Sequence, residues 1–138
     1  MVRIAVIDGQ GGGIGRLIVE KLKKELPDAE ILALGTNAFA TSAMLKAGAD
    51  EGATGENAVL VNAPKVDLIV GAIGIISANS MLGELTPNTA RAVSESPAQK
   101  ILLPLNRCGI DVVGTPKNFT LPALVDELVK ETKEFFAK

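Results

Sequence analysis

The residues best suited to chemistry in this chain form the glycine-rich run VIDGQGGGIG, which spans residues 6–15. Five of its last seven residues are glycine, which leaves the backbone uncovered and lets a ligand approach the amide N–H groups. An apolar stretch precedes the run and a helical pattern follows it. Because free N–H groups and the helix dipole favour anions where a helix begins, the run predicts a site for a small phosphorylated ligand. The alternative is a compact turn that merely uses glycine.

The spacing of the glycines selects between two known loop patterns. G-x-G-x-x-G does not fit, because its third glycine falls on Ile14 or Arg16, whereas G-x-x-x-G-x-G fits. The fitting positions, Gly9, Gly13 and Gly15, resemble the loop of short-chain dehydrogenase/reductases. That resemblance implies that Gly9 makes the tight turn, Gly13 admits a phosphate and Gly15 packs the helix against the strand. Those reductases use Tyr-x-x-x-Lys, and this sequence has no tyrosine, so the resemblance supports a cofactor site and not their reaction.

Polar residues that follow other predicted strands extend the candidate site. Asp8, just before the glycines, is predicted to accept backbone N–H bonds and hold the loop rigid, the alternative being a magnesium ligand. Because the carboxyl ends of parallel strands share one edge of a sheet, residues after each strand can meet one ligand. The candidate cofactor-binding residues are Asp8, Gly9, Gln10, Gly11, Gly12, Gly13, Ile14, Gly15, Thr36, Asn37, Gly74, Ser77, Asn79, Asn106 and Arg107.

Several of these side chains have a structural alternative. Thr36 and Asn37 could donate to a ribose, but the favoured interpretation is that Thr36 caps the next helix. Arg107 could clamp a phosphate or carboxylate, or form a surface ion pair. Cys108 could be a reactive thiol, although a small buried apolar role is favoured. The segment GIISANSMLG (residues 74–83) is too apolar for an ordinary exposed loop and is interpreted as a lid or wall over the ligand.

Alternating apolar and helical patterns predict the fold that positions these residues. Strands are predicted at residues 3–8, 30–35, 51–54, 66–74, 100–106 and 110–114. Helices are predicted from residue 14 to the Pro27 break, at 37–47, 56–62 and 86–96, and from 120 onward. This alternation predicts an α/β fold with a doubly wound, mainly parallel, Rossmann-like sheet and helices on both faces. We expect residues 1–138 to form one nucleotide-binding domain of this type.

Composition excludes several classes of function. The chain has no histidine and one cysteine, which removes the usual zinc, copper and haem ligand sets and predicts no metal site. A net charge of −2, without tyrosine or tryptophan, predicts no nucleic-acid partner. The longest apolar run, residues 68–76, is far shorter than a bilayer span. With no visible signal peptide, we expect a cytoplasmic protein without a membrane partner.

The chain as a whole resembles a bacterial family of short Rossmann-like proteins of unknown function that open with the same VIDGQGGGIG run. Three further phrases carry the resemblance: LGTNAFATSAMLKAGA (34–49), GAIGIISANSMLGELTP (71–87) and LPLNRCG (103–109). It spans nearly the full length. The resemblance implies a Rossmann-like fold, and it brings no activity, substrate or catalytic residue.

The predicted second helix, Asn37–Ala47, is apolar around nearly its whole circumference, and Lys46 is its only charge. A helix that is apolar all round is normally buried all round. The outer helix of a small domain has one side in water, so we predict a homodimer in which a second subunit covers this helix. The alternative is a neighbouring loop that covers it.

Two functions follow from these patterns. The first is a nucleotide-binding protein, with a dinucleotide, NAD or NADP, as the expected cofactor, acting as a cofactor sensor or carrier or as a small oxidoreductase. No acidic residue or arginine directly follows the second predicted strand, so NAD and NADP are not distinguished, and a mononucleotide or another phosphorylated ligand is an open alternative. The missing histidine and tyrosine leave catalysis open. The alternative function is a non-enzymatic dimeric assembly module whose glycine turn is structural.

Overall fold

A computed structural model describes residues 2–105 and 108–138 of the chain. Within this part, five parallel strands form one sheet in the order β3-β2-β1-β4-β5. The central strands are continuous apolar runs because helices cover both faces of the sheet. The strands are β1 (Arg3–Asp8), β2 (Glu30–Gly35), β3 (Glu51–Thr54), β4 (Leu68–Ala72) and β5 (Gln99–Leu103).

The helices alternate with the strands along the chain. They are α1 (Gly13–Glu25), α2 (Ala38–Lys46), α3 (Glu56–Asn62), α4 (Pro87–Glu95) and α5 (Leu121–Phe136), with short 3-10 turns at Ala63–Lys65 and Ile73–Ile76. Thr86 and Thr120 cap α4 and α5 with their hydroxyl oxygens, and a proline follows within the first two helical positions of each. No helix of the described residues is both long and apolar enough to cross a bilayer.

Alternate residues of β1 face two separate layers of helices. Ile4 and Val6 pack in a buried cluster with α1, α2 and α5, whereas Ala5 and Ile7 pack in a second cluster with α3 and α4. This period of two is the expected pattern of a strand that is covered on both sides. The predicted doubly wound, Rossmann-like α/β fold with helices on both faces is confirmed.

The path of the chain creates a crevice beside β1. From β1 the chain moves outward through β2 and β3, and then returns to the other side of β1 to form β4. Val6 pairs with Val70, and Asp8 pairs with Gly35, so the loops that leave β1, β2 and β4 meet at one edge. Open α/β sheets bind ligands at the point where the strand order reverses, which here lies between β1 and β4.

Three predicted strands have the expected bounds, and two need correction. The strands at 3–8, 30–35 and 51–54 are confirmed. β4 covers Leu68–Ala72 instead of 66–74, because the chain enters a 3-10 turn at Ile73. β5 was predicted to reach residue 106 but ends at Leu103, since Pro104 has no N–H group with which to extend the ladder.

The predicted sixth strand at residues 110–114 is wrong. Gly109 and Gly114, at φ of 75° and 96°, turn the chain on both sides of this segment. The N–H group of Thr115 bonds the carbonyl oxygen of Val112 at 3.2 Å, as in a tight turn, and Val113 is fully exposed. Two adjacent valines indicated a strand, but a strand also needs a neighbouring backbone with which to pair.

Candidate functional site

Asp8 holds the loop between β1 and α1 in place. Its Oδ1 accepts the N–H of Gly9 at 2.8 Å, and its Oδ2 accepts the N–H of Gly15 at 2.6 Å. Between these bonds the loop makes a turn, closed by the N–H of Gly12 on the carbonyl of Gly9 at 3.0 Å. The buried carboxylate therefore spans the loop from its start to the first turn of α1, and the prediction that Asp8 accepts backbone N–H bonds is confirmed.

Three of the five glycines in the run are required by internal packing. Gly12 has φ of 74°, and a Cβ there would lie 2.8 Å from Ala40 Cα. At Gly15, a Cβ would lie 2.6 Å from the Met44 sulfur, so this glycine lets α1 approach its neighbours. At Gly9, a Cβ would meet side chains that cross the loop. Close contacts within the chain therefore explain why these three positions are glycine.

Gly11 and Gly13 have no such internal reason. A Cβ at either position would have no heavy atom within 4 Å, and neither residue has a positive φ. Gly13 is the first residue of α1, and the N–H groups of Gly13 and Ile14 have no carbonyl one turn earlier within the helix. The loop thus exposes a bare backbone at the positive end of a helix.

A compact segment, residues 77–85, crosses this edge of the sheet, and we call it the cover segment. It is held by the Ser80 hydroxyl, which donates to the carbonyl of Gly74 at 2.6 Å, and by the fully buried Leu85. Asn79, Met81 and Leu82 have φ of 66°, 58° and 57°, a backbone conformation that residues other than glycine adopt rarely. Such backbone strain concentrates at ligand clamps and other functional sites.

Glu84 ties the cover segment to the loop and to the end of β2. Its Oε1 accepts from the Gln10 N–H at 2.9 Å, the Thr36 hydroxyl at 2.8 Å and the Asn37 amide at 2.7 Å. The Gln10 N–H, followed by Asn37 and Thr36, lowers the pKa of Glu84 below its ordinary value, against the opposing effect of burial. Sequence reasoning missed Glu84, because 48 residues separate it from Thr36 and no local pattern marks the contact.

These contacts correct the expected helix cap. Thr36 was favoured as the cap of α2, but Asn37 holds that position, and its Oδ1 accepts the N–H of Ala40 at 2.9 Å. The Thr36 hydroxyl is instead directed to Glu84. Both polar groups at the end of β2 are therefore engaged within the chain.

A cavity of about 380 Å³ lies between the glycine loop, the end of β4 and the cover segment. Its lining residues are Asp8, Gly9, Gln10, Gly11, Gly12, Gly13, Ile14, Ala72, Gly74, Ser80, Met81, Leu82, Leu105 and Cys108. The volume lies within the range of roughly 300–1,000 Å³ that is typical of small-molecule sites. Its position is the crevice at which the strand order reverses.

The cavity brings together part of the predicted set. Eight predicted residues line it: Asp8, Gly9, Gln10, Gly11, Gly12, Gly13, Ile14 and Gly74. The lining does not include Gly15, Thr36, Asn37, Ser77 or Asn79. Asn106 and Arg107 lie outside the described residues. Ala72 and Leu105 also line the cavity and were not singled out from the sequence, although the ends of β4 and β5 were the available signal for them.

Cys108 and the segment 74–83 also have places in this site. Cys108 is only partly buried and lines the cavity, which differs from the small buried apolar role favoured for it. Ser80, Met81 and Leu82 form the wall of the cavity, in the part of the chain interpreted as a lid or wall. Among the described residues, no group of three or more cysteine and acidic side chains is arranged to hold a metal ion.

A family model described as "Domain of unknown function (DUF3842)" matches residues 3–137. The chain belongs to this family. No curated protein matches it in sequence. Among solved structures, the chain is similar to a dodecameric FMN-dependent UbiX-like decarboxylase from Escherichia coli O157:H7, with a TM-score of 0.51 and 16% identity. The alignment covers 100% of this chain and 96% of the decarboxylase, so the two folds correspond over nearly their whole length. At 16% identity this similarity shows the fold alone.

Proposed function

We propose that this protein binds a nucleotide, and that the phosphate of the nucleotide lies on the bare loop backbone. The observation that carries the proposal is the open space at Gly11 and Gly13, where neither packing nor backbone conformation requires glycine. An approaching phosphate gives those positions a reason to lack side chains. The start of α1 and the adjoining cavity support it, because helix N-termini stabilise anions and the cavity has room for the rest of the ligand.

The ligand expected from glycine spacing is NAD or NADP, and the structural likeness adds FMN as a candidate. The similar decarboxylase is FMN-dependent, and FMN carries one phosphate on a nucleotide-like body. All three cofactors bring their own reactive atoms, so a chain without histidine or tyrosine can still serve them. We favour a role as a sensor or carrier of the cofactor. If the site is catalytic, the protein is a small oxidoreductase.

Thermal melting with single ligands tests the proposal. We expect FMN, NAD, NADP, FAD or ATP, whichever binds, to raise the melting temperature by several degrees. A ligand present at one hundred times its dissociation constant stabilises the fold by about 2.7 kcal/mol. Gly13→Val places a branched side chain over the loop and should abolish the shift while the protein stays folded.

The matched control is Ala123→Val, which adds the same side chain at an exposed position near the start of α5. It should keep the full ligand shift. The proposal fails if no phosphorylated ligand stabilises the wild-type protein, or if Gly13→Val retains the shift.

A second candidate function, dimeric assembly through α2, is favoured by the exposure of this helix. Phe39 is 81% exposed and Leu45 is 41% exposed, while Ala40 and Met44 are buried. Exposed phenylalanine and leucine side chains on one helix fit a surface that a second subunit covers. Self-association also agrees with the dodecameric state of the similar decarboxylase. Sedimentation should give a dimer for the wild type and a monomer for Phe39→Ser; a monomeric wild type at micromolar concentration contradicts this candidate.

A further inference from the structure

The two sides of β1 offer a ligand very different surroundings. In folds that bind a dinucleotide, the adenosine half lies toward the end of β2, where an acidic residue receives the ribose hydroxyls. Here the cavity lies on the other side, toward β4, and is lined by Ala72, Gly74 and Leu105. Thr36 and Asn37, which end β2, do not line it.

The β2 side is filled by the chain's own side chains. A Cβ built on Gly9 would lie 2.5 Å from Thr36 Oγ1, 2.7 Å from Met81 Sδ and 3.2 Å from Glu84 Oε1. The Glu84 carboxylate also uses the donors that could otherwise receive a ribose, namely the Thr36 hydroxyl and the Asn37 amide. A second nucleotide half would have to displace these groups.

Charge acts in the same direction as packing. Glu84 lies against the loop, with its Oε1 at 2.9 Å from the Gln10 nitrogen. The carboxylate is ionised at neutral pH, since its pKa is lowered from an ordinary value of 4.5 that is already well below 7. The second phosphate of a dinucleotide would enter beside this negative charge, and like charges at short range repel. One phosphate on the α1 side of the loop avoids this repulsion.

We propose that Glu84 selects a mononucleotide by closing the β2 half of the site. The inference rests on the proposed nucleotide site and names its ligand class: a nucleoside or flavin monophosphate with its ring directed toward β4 and β5. A cavity of about 380 Å³ suits a ligand of that size. Glu84 acts as a specificity-determining residue.

Two ligand pairs that differ by one added AMP half test this selection: FMN with FAD, and nicotinamide mononucleotide with NAD. Calorimetry on the wild-type protein should show one pair in which the mononucleotide binds at least about ten-fold more tightly. Glu84→Ala should shrink this preference at least about ten-fold, mainly through tighter binding of the dinucleotide. Glu84→Gln, which keeps an acceptor oxygen for the three donors, should retain part of the preference.

Control variants distinguish a failure of the proposed selection by Glu84 from a failure of the proposed nucleotide site. Glu95→Ala removes an exposed glutamate of α4 and should leave the preference unchanged. If Glu84→Ala does not fold, Glu84→Asp withdraws the carboxylate by one methylene and should shrink the preference in its place. Equal wild-type affinities within the pair that binds, or an unchanged preference in the folded Glu84 variants, overturn the selection and leave the nucleotide site standing. Absence of binding by all four ligands overturns the selection, and the nucleotide site is overturned with it if NADP and ATP also fail to bind.

Discussion

The glycine loop contains two kinds of glycine, and the difference between them is the basis of the proposed phosphate site. Gly9, Gly12 and Gly15 each lie within 3 Å of another part of the chain once a Cβ is added, so internal packing explains them. Gly11 and Gly13 face open space, and the cavity begins there. The first group builds the loop, and the second leaves a bare backbone on which we propose that the phosphate binds. A glycine that the fold does not need therefore says more about function than one that it does.

Gly12→Val is the substitution with the largest expected effect on stability. It forces a branched side chain to a φ of 74° and places its Cβ 2.8 Å from the Ala40 Cα, a backbone atom that cannot move aside. We expect the free energy of unfolding to fall by about 3 kcal/mol. Urea denaturation of Gly12→Val beside Gly11→Ala measures the contrast, since Gly11→Ala should stay within about 0.5 kcal/mol of the wild type. Similar losses at both positions would remove the distinction between the two kinds of glycine.

Asp8→Asn is expected to have the next largest effect. One of the two carboxylate oxygens becomes an NH₂ group that faces a backbone N–H, of Gly9 or of Gly15. Losing a buried hydrogen bond to a charged acceptor lowers the free energy of unfolding by about 2 kcal/mol. Chemical denaturation gives this value, and amide hydrogen exchange at Gly15 should accelerate. A variant as stable as the wild type would mean that Asp8 does not hold the loop.

Protonation of Glu84 at low pH should have the smallest effect on the free energy of unfolding. Its pKa is lowered in the folded protein, so its contribution to stability is full above the ordinary value of 4.5 and is lost as the pH falls through the lowered value. Wild type should therefore lose more stability than Glu84→Gln when the pH falls from about 6 to about 3. Urea denaturation at both pH values measures the difference. Equal losses of stability would contradict a stabilising contact between the Glu84 carboxylate and the loop. The lowered pKa of Asp50, caused first by the Ile31 N–H, is common to both proteins and cancels.

The sequence predicts the fold and the loop well because both depend on local patterns. Apolar runs fix the first two strands, and the glycines that precede α1 mark the edge of the sheet where the cavity lies. The position of Glu84 could not be predicted, since its contacts with Gln10 and Thr36 depend on how the cover segment folds back. The role of Thr36 could not be predicted either. Its hydroxyl donates to Glu84, and Asn37 is the residue that caps α2. Long-range polar contacts leave no periodic signal, so they decide the limits of such a prediction.

Amide chemical shifts recorded during titration with FMN, or with whichever mononucleotide melting identifies, test the central claim most directly. The account predicts that the amide signals of Gly11, Gly13 and Ile14 shift together and saturate, while those of Thr36 and Asn37 stay unchanged. Shifts confined to other parts of the chain, with the loop amides unaffected at saturation, would contradict the claim that the bare loop backbone binds the phosphate.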